Sequence, residues 1–209
     1  MKCCVNGRRA QREEMMEKDK AGSMKDRILY ESLKLFADNG YAAVSTRMIA
    51  KAVEASDAVI YKHFKSKREI LDTILEQCKR RYLAKRNTVR LATMCWDKVE
   101  SICMDMFSFQ TQDEWTVLYR KLLVVEQYKD PQMAVLYRKM FIEGPLESLA
   151  GMFRILIEQG YMKKGNPMVY AMELYAPFFL FHTVGGESEE LLQNLKEHVR
   201  LFRENVRES

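Results

Sequence analysis

Hydroxyl, imidazole and ammonium side chains are concentrated between positions 45 and 67 of this 209-residue chain. Such groups donate hydrogen bonds to phosphate oxygens, which positions a protein on a nucleic-acid backbone without reading its sequence. The members of this set are Ser45, Thr46, Ser56, Tyr61, His63 and Lys67. We therefore expect a phosphate-binding surface here. For Tyr61 and His63 the alternative role is packing beneath a neighbouring helix.

The net charge favours a polyanionic partner because its basic excess is confined to one end of the chain. Residues 1–67 hold 14 Lys and Arg against 9 Asp and Glu, whereas residues 68–209 hold 20 of each. A basic segment attached to a neutral body is typical of proteins that meet nucleic acid, since phosphate neutralisation supplies most of the sequence-independent affinity. A solvated basic surface without a partner is the alternative explanation.

Composition and motifs argue against several other classes of protein. Hydrophobic residues make up 47% and charged residues 30%, as in globular proteins. The 5 cysteines lack the paired spacing of disulfides or zinc sites, so we expect a cytoplasmic location, no metal and no cofactor. Without His-Glu-x-x-His, a glycine-rich phosphate loop or Cys-x-x-Cys, we expect no catalytic residues and no enzyme. We also expect no membrane partner, since no apolar stretch reaches the ~20 residues of a bilayer span.

Helical periodicity dominates the chain and places the polar set on two short helices. The chain has 4 Pro, 9 Gly and no alternating β-branched runs, which predicts an all-α fold of about nine or ten helices without a sheet. The first predicted helix runs from Met24 to a stop at Asn39-Gly40. The second covers about 46–53, with Ser45 as its N-cap. After a turn at Glu54-Ala55, the third runs from the N-cap Ser56 to near His63. One helix followed by two short helices with a tight turn between them is the arrangement of a helix-turn-helix domain.

Local signals also divide the rest of the chain into helices. A long helix is predicted from Lys67 to about Arg90. Thr111 and Glu114 predict a capping box at the start of a later helix. Asp130 and Asn166 each precede a proline, which predicts an N-cap with proline in the first turn. Further breaks are predicted near Gly160 to Gly165 and at Gly185-Gly186, and Gly144-Pro145 and Pro177 are expected to kink or split their helices.

An ordered set of residues carries a family resemblance. It comprises Leu35-Phe36-Ala37, Gly40-Tyr41, Ser45-Thr46-Arg47, Ile49-Ala50, Ser56, Ile60-Tyr61-Lys62-His63-Phe64, and Ser66-Lys67 through Ile70-Leu71. With this set, residues 26–71 resemble the TetR family of helix-turn-helix transcriptional regulators. Two positions depart from the family pattern, since Glu54 and Ala58 stand where glycine is common. The C-terminal two-thirds resembles the family only in length and helical character.

The resemblance implies a domain layout and a set of base contacts. Residues 1–23 are expected to form a flexible arm, either without function or reaching along the DNA backbone; residues 24–68 form a three-helix DNA-binding head, and residues 69–209 a helical ligand-sensing and dimerisation bundle. Arg47 resembles the family's base-contacting arginine and is suited to guanine O6 and N7. Asp57, Ala58 and Val59 begin the recognition helix, which lies in the major groove in this motif, and Asp57 is suited to cytosine N4.

The resemblance also implies an effector pocket between the middle helices and a dimer interface formed by the last two. Aromatic and methionine side chains expected at the pocket are Met104, Phe107, Trp115, Tyr119, Tyr137, Phe141 and Phe153. Apolar residues expected at the interface are Phe178, Phe181, Leu191, Leu195, Val199 and Phe202.

The predicted function is that of a homodimeric repressor on double-stranded DNA, released from a palindromic operator by an unknown small hydrophobic effector. Activation in place of repression stays open. The alternative is a helical ligand-binding or interaction protein whose head no longer binds DNA usefully.

Overall fold

The computed structural model describes residues 22–88, 95–184 and 188–208, which form ten α-helices. These are α1 (Met24–Asn39), α2 (Thr46–Ala52), α3 (Asp57–His63), α4 (Lys67–Arg86), α5 (Trp96–Gln112), α6 (Glu114–Glu126), α7 (Pro131–Arg138), α8 (Gly144–Glu158), α9 (Pro167–Val184) and α10 (Glu189–Val206). A π-helical turn, Lys139–Glu143, joins α7 to α8. Within these ranges there is no strand, so the predicted all-α fold is confirmed. The arm over residues 1–21, the helix end near Arg90 and the break at Gly185-Gly186 lie outside the described residues.

Helix α1 ends at the predicted Asn39-Gly40 stop, and it begins with a capping box at Ser23 that was not predicted. The hydroxyl of Ser23 accepts from the backbone N–H of Asp26, and the Asp26 carboxylate accepts from the N–H of Ser23 at 3.0 Å. This reciprocal capping box satisfies donors that an α-helix leaves unpaired. At the other end Gly40 has φ +81°, a conformation that glycine adopts without steric penalty. Ser23 therefore belongs to the helical head.

The described chain divides into two compact units, which we call the head, up to Gln77, and the body, from Cys78. The division falls inside α4, about nine residues beyond the boundary predicted from the sequence. Ile70 and Ile74, on the first half of α4, are fully buried in the head. Cys78 and Tyr82, on the second half, are buried in the body. One amphipathic helix thus supplies core residues to both units, which a pattern of apolar spacing alone does not reveal.

The body is built around helices α5, α8, α9 and α10. Their inward faces meet in one apolar cluster, and α8 and α9 pack along each other. Phe153, Leu156 and Leu174 are fully buried there. Trp96 opens α5, and its indole N–H donates to the carbonyl of Tyr161 at 2.9 Å. This bond satisfies the polar atom of a side chain that is otherwise buried.

Several predicted helix ends are confirmed and others are not. Asp130 accepts from the N–H of Gln132, and Asn166 from that of Met168, as N-caps before proline do. The predicted capping box at Thr111 is wrong, because Thr111 lies inside α5 and its hydroxyl donates to the Phe107 carbonyl at 2.8 Å. At Gly144-Pro145 the backbone stays helical, and the π-helical turn before it separates α7 from α8. Helix α9 continues through Pro177 as a single helix.

Candidate functional site

Helices α2 and α3 are joined by a turn whose geometry is held by backbone hydrogen bonds. The Ser45 hydroxyl caps α2 by accepting from the N–H of Met48 at 3.2 Å, as predicted. The N–H of Ala55 donates to the Ala50 carbonyl at 2.9 Å across the turn. Between them Glu54 has φ +55°, in the left-handed region. This left-handed conformation favours glycine, the residue that is common at this position in the family pattern described above.

The start of α3 differs from the prediction in one respect. Ser56 occupies the N-cap position, but its side chain makes no cap hydrogen bond. The residue is exposed, and among the described residues its hydroxyl has no partner. This hydroxyl is therefore available to an external acceptor.

Helix α3 is anchored by apolar residues and presents its polar side chains to solvent. Ile60 and Phe64 are buried at 1% and 2% exposure, and they fix α3 against the head. Tyr61 is 56% exposed, which argues against the alternative that it packs beneath a neighbouring helix. His63 is half-buried. Short helices depend on such tertiary packing, because seven residues are too few for a stable isolated helix.

The structure brings four of the ten predicted DNA-contacting residues, Ser45, Arg47, Ser56 and Asp57, to one concavity of the head. Ser45, Arg47 and Met48 on α2 border the same concavity as Ala55, Ser56 and Asp57 on the turn and α3. Exposed members of the predicted set are Ser45, Arg47, Ser56, Asp57, Ala58 and Tyr61, and half-buried members are Thr46, Val59, His63 and Lys67. Arg47 is thus at the surface, where a guanidinium can reach a base edge or a phosphate.

Lys67 has a structural role that sequence reasoning missed. Its ammonium donates to the carbonyls of Tyr41, at 2.9 Å, and Val44, at 2.6 Å, and lies 4.3 Å from the centre of the Tyr41 ring. These contacts fasten the loop before α2 to the start of α4. A lysine has three N–H donors, so one remains for a phosphate. No local pattern could indicate this pairing, since 23 and 26 residues separate the partners.

A second long-range hydrogen bond reaches the C-terminal end of α2. Arg27 on α1 donates to the carbonyl of Val53 at 3.2 Å. Val53 is the C-cap of α2, so its carbonyl has no acceptor role within that helix. Together with Lys67, Arg27 fixes both ends of α2 from other elements of the head. Contacts from α1 and α4 therefore hold α2 at both ends.

The body contains a cavity of about 370 Å³, within the size range of small-molecule sites. Its wall consists of Tyr82, Arg86, Asn87, Ile102, Cys103, Met106, Phe107, Gln110, Pro145, Glu147, Ser148, Leu149, Gly151, Met152, Tyr175 and Phe178. Of the seven residues predicted to line a pocket, only Phe107 does so here. Tyr119, Tyr137, Phe141 and Phe153 are buried in the core, and Met104 and Trp115 are half-buried away from this wall. Methionine and aromatic residues at helical spacing therefore did not show which side chains line the cavity and which lie in the core.

Two polar side chains of the cavity wall, Gln110 and Tyr82, are joined by a hydrogen bond. Gln110 Nε2 donates to the Tyr82 hydroxyl at 2.7 Å, and the Gln110 carbonyl accepts from Arg120. Burial raises the pKa of Tyr82 to about 12, so this hydroxyl stays protonated. Burial likewise raises the pKa of the Cys103 thiol to about 12, which makes it a poor nucleophile at neutral pH.

The residues predicted at a dimer interface are mostly internal to the body. Phe178, Leu195, Val199 and Phe202 are at most 7% exposed and pack into its apolar cluster, and Phe181 and Leu191 are half-buried. The exposed apolar face instead lies on α9, with Val169, Met172, Ala176 and Leu180 at spacings of three, four and four residues. These positions fall on one side of a helix. Four of the six predicted interface residues therefore serve the core of their own chain, and the interface stays a prediction.

Two other findings bear on partners. No group of three or more His, Cys, Asp and Glu side chains in the described ranges is arranged to hold a metal ion. No helix built from those residues has both the length and the apolar character that a bilayer crossing requires.

The head matches a known family, and the whole chain matches known folds. Residues 28–74 match the model of bacterial regulatory proteins of the tetR family. A putative TetR-family transcriptional regulator from Mesorhizobium loti is 20% identical with a TM-score of 0.65, covering 88% of this chain and 96% of its own. SmeT, the repressor of the Stenotrophomonas maltophilia multidrug efflux pump SmeDEF, is 18% identical with a TM-score of 0.61, covering 90% and 92%. The ketosteroid transcriptional regulator KstR2 of Mycobacterium tuberculosis is 15% identical with a TM-score of 0.61, covering 90% and 97%.

No curated protein matches the sequence. The head contains a helix-turn-helix, and the fold is shared with helix-turn-helix regulators of known structure. The chain carries the DNA-binding domain of the TetR family at residues 28–74, and its fold as a whole is that of TetR-family regulators.

Proposed function

We propose that this protein is a cytoplasmic transcriptional repressor that binds a palindromic operator as a homodimer and is released from it by a small apolar ligand. The observation that carries this proposal is the helix-turn-helix formed by α2 and α3, on which Arg47, Ser56 and Tyr61 are exposed. In a helix-turn-helix the second helix enters the major groove and its first turn meets base edges. The first turn of α3 contains Asp57, Ala58 and Val59.

Each side chain of that surface has a role in the proposed complex. Arg47 donates two parallel hydrogen bonds to guanine O6 and N7, and Asp57 accepts from cytosine N4. Hydroxyl groups of Ser45, Thr46, Ser56 and Tyr61, the His63 imidazole and the remaining N–H of Lys67 contact phosphates and set the register. Exposed Lys51, Lys62 and Lys65 add long-range attraction to the duplex.

Dimerisation supports the palindromic operator. In the proposed dimer the exposed stripe of Val169, Met172, Ala176 and Leu180 packs against the same stripe of a second copy, because an isologous interface uses one patch on both subunits. Two heads related by that axis enter major grooves on one side of the duplex, a helical turn or a multiple of it apart. A ligand that binds the body better in one head spacing than in the other shifts the population away from the DNA-bound state.

The test is DNA binding by matched variants of the full chain. The probe is duplex DNA covering the region upstream of the protein's own gene, titrated at several salt concentrations. Arg47→Ala is expected to weaken binding by about 5- to 150-fold, the equivalent of one bidentate base contact. Arg154→Ala, an exposed arginine on α8, is the control and is expected to leave affinity unchanged.

A second matched pair separates phosphate contacts from general effects of a tyrosine. Tyr61 and Tyr161 are both 56% exposed. Tyr61→Phe is expected to lower affinity for all sequences, and Tyr161→Phe is expected to have no effect. The alternative is an interaction protein without useful DNA affinity. It would be favoured if binding were weak, depended little on salt and were unchanged by Arg47→Ala and Tyr61→Phe. Transcription from the bound promoter in vitro distinguishes repression from activation.

A further inference from the structure

One end of the cavity in the body, defined by Tyr82, Arg86 and Gln110, presents two donors, the Tyr82 O–H and the Arg86 guanidinium, for which the described structure records no acceptor. The Tyr82 hydroxyl oxygen accepts from Gln110, and its own O–H has no acceptor among the described residues. Arg86 follows Tyr82 by four residues on α4, so the two side chains lie on the same side of that helix. Both belong to the cavity wall. A guanidinium is donor only, so Arg86 cannot accept the Tyr82 O–H.

No carboxylate of the described residues forms an ion pair with the arginines near this end. Arg120 is only 8% exposed and donates to the carbonyl of Gln110, directly behind the wall. In the described ranges no carboxylate lies within 4.0 Å of Arg120 or Arg86, whereas Arg81 on the same helix as Arg86 pairs with Asp113 at 2.9 Å. A buried cation without a counter-charge is unfavourable, so an anion placed nearby would be stabilised.

The remainder of the wall is apolar apart from its exposed rim. Ile102, Met106, Phe107, Leu149, Met152 and Phe178 supply most of its area. Glu147 is a wall residue with an exposed carboxylate, so water screens its charge. The cationic groups are half-buried or buried, where the lower dielectric makes their influence stronger.

We infer that the effector of this protein is an amphipathic carboxylic acid, whose carboxylate accepts from the Tyr82 hydroxyl and the Arg86 guanidinium while its apolar body lies along α5 and α8. The inference rests on the proposed ligand-sensing role of the body. A carboxylate suits the end of the cavity better than a phosphate ester does, because one neutral donor and one lining cation match a single charge spread over two oxygens.

The test compares probes that share one apolar body. Decanoate, 1-decanol and decylammonium are titrated into the full chain by calorimetry, each below the concentration at which it aggregates. Decanoate is expected to bind at least about tenfold more tightly than 1-decanol, the effect of one charge-assisted hydrogen bond. Arg86→Met is expected to remove that preference, and Tyr82→Phe to reduce it several-fold. Arg80→Met, an exposed arginine on the same helix, is the control and is expected to retain it.

The readout is a ratio of two affinities on the same variant, so a general loss of stability does not imitate the expected result. Equal binding of decanoate and 1-decanol, preference for decylammonium, no binding of any probe, or a preference that survives Arg86→Met would each overturn the inference. DNA binding without a probe is measured on the same preparations. If it persists while the carboxylate preference is absent, only this inference fails; if it is absent while the preference holds, the proposed function fails.

Discussion

Glu54 is the only non-glycine residue with positive φ in the described parts of the chain. Its φ of 55° places the Cβ atom close to the following carbonyl, a contact that raises the energy of L-residues other than glycine. The strain is tolerated because Arg27 and the Ala50–Ala55 bond hold the turn from both sides. The turn geometry is therefore imposed by the head as a whole and not by the preference of this residue.

Replacing Glu54 by glycine is expected to stabilise the head. Relief of the left-handed strain outweighs the extra freedom of glycine in the unfolded chain, so the free energy of unfolding should rise by about 0.5–1 kcal/mol. Urea denaturation followed by far-ultraviolet circular dichroism measures the change. Glu54→Ala is the control, because it removes the carboxylate and keeps the Cβ atom. Equal stabilisation by both variants would assign the effect to charge.

His182 couples the stability of the body to pH. It is fully buried among the rings of Phe141, Tyr175 and Phe179, and its Nδ1 bonds to the Phe178 carbonyl at 3.1 Å, while Nε2 has no partner in the described structure. Burial, reinforced by the charge of Arg120, lowers the pKa of His182 from 6.5 to about 4. The folded state thus keeps the imidazole neutral at a pH where the unfolded chain binds a proton.

Stability is therefore expected to fall as the pH drops through the interval from about 6.5 to about 4. The unfolded state binds one more proton there, which lowers the free energy of unfolding by up to about 3 kcal/mol across the interval. In His182→Asn, whose amide can still reach the Phe178 carbonyl, this component should be missing. Urea denaturation at several pH values compares the slopes with those of His63→Asn. A wild-type slope unchanged by His182→Asn would contradict the assignment.

At the scale of elements, local patterns predicted helix ends that depend on near neighbours and missed those that depend on distant ones. Ser45, Asp130 and Asn166 cap their helices as predicted, because an N-cap bonds an amide two or three residues away. Thr111 fails because a threonine inside a helix can bond the carbonyl four residues back equally well. The helix-turn-helix was therefore predictable almost to the residue, whereas the contacts of Lys67 were not.

The contacts of Lys67 lead to a prediction for the loop before α2. Lys67→Met keeps the apolar stem and removes both hydrogen bonds to the loop, so we expect the free energy of unfolding to fall by about 1–2 kcal/mol. Hydrogen exchange should show faster opening of the amides from Tyr41 to Ser45. Lys65→Met, an exposed lysine two residues earlier, is the control. The same exchange rates in both variants would show that Lys67 acts only at phosphate.

At the scale of the whole molecule, an amphipathic helix does not reveal what covers its apolar face. The spacing of Leu195, Val199 and Phe202 on α10 is suited to either a partner chain or the core of its own chain. In the structure these residues lie in the core. The α9 stripe escaped prediction because this helix is apolar on nearly all sides, so its sequence has no distinct face. The cavity was equally unpredictable, since its wall combines residues from α4, α5, α8 and α9.

The proposed dimer makes the α9 stripe the place where one charge has the largest effect on assembly. Leu180 and Met172 are 55% and 54% exposed, and burying the exposed half of either side chain against a second copy stabilises the dimer by about 1 kcal/mol. Leu180→Glu would place a carboxylate in that interface twice, once from each copy, without disturbing the core of the body. We expect a folded monomer with a much lower operator affinity, since each head then binds its half-site alone.

Sedimentation equilibrium and far-ultraviolet circular dichroism together separate assembly from folding in this experiment. Val135→Glu is the matched control, because Val135 is 40% exposed on α7, outside the α9 stripe, and this variant should remain dimeric. Leu195→Glu should behave differently from both and unfold the body, since Leu195 is 2% exposed in its core. A dimer that persists in Leu180→Glu and dissociates in a folded Leu195→Glu protein would place the interface on α10, as the sequence pattern alone suggested.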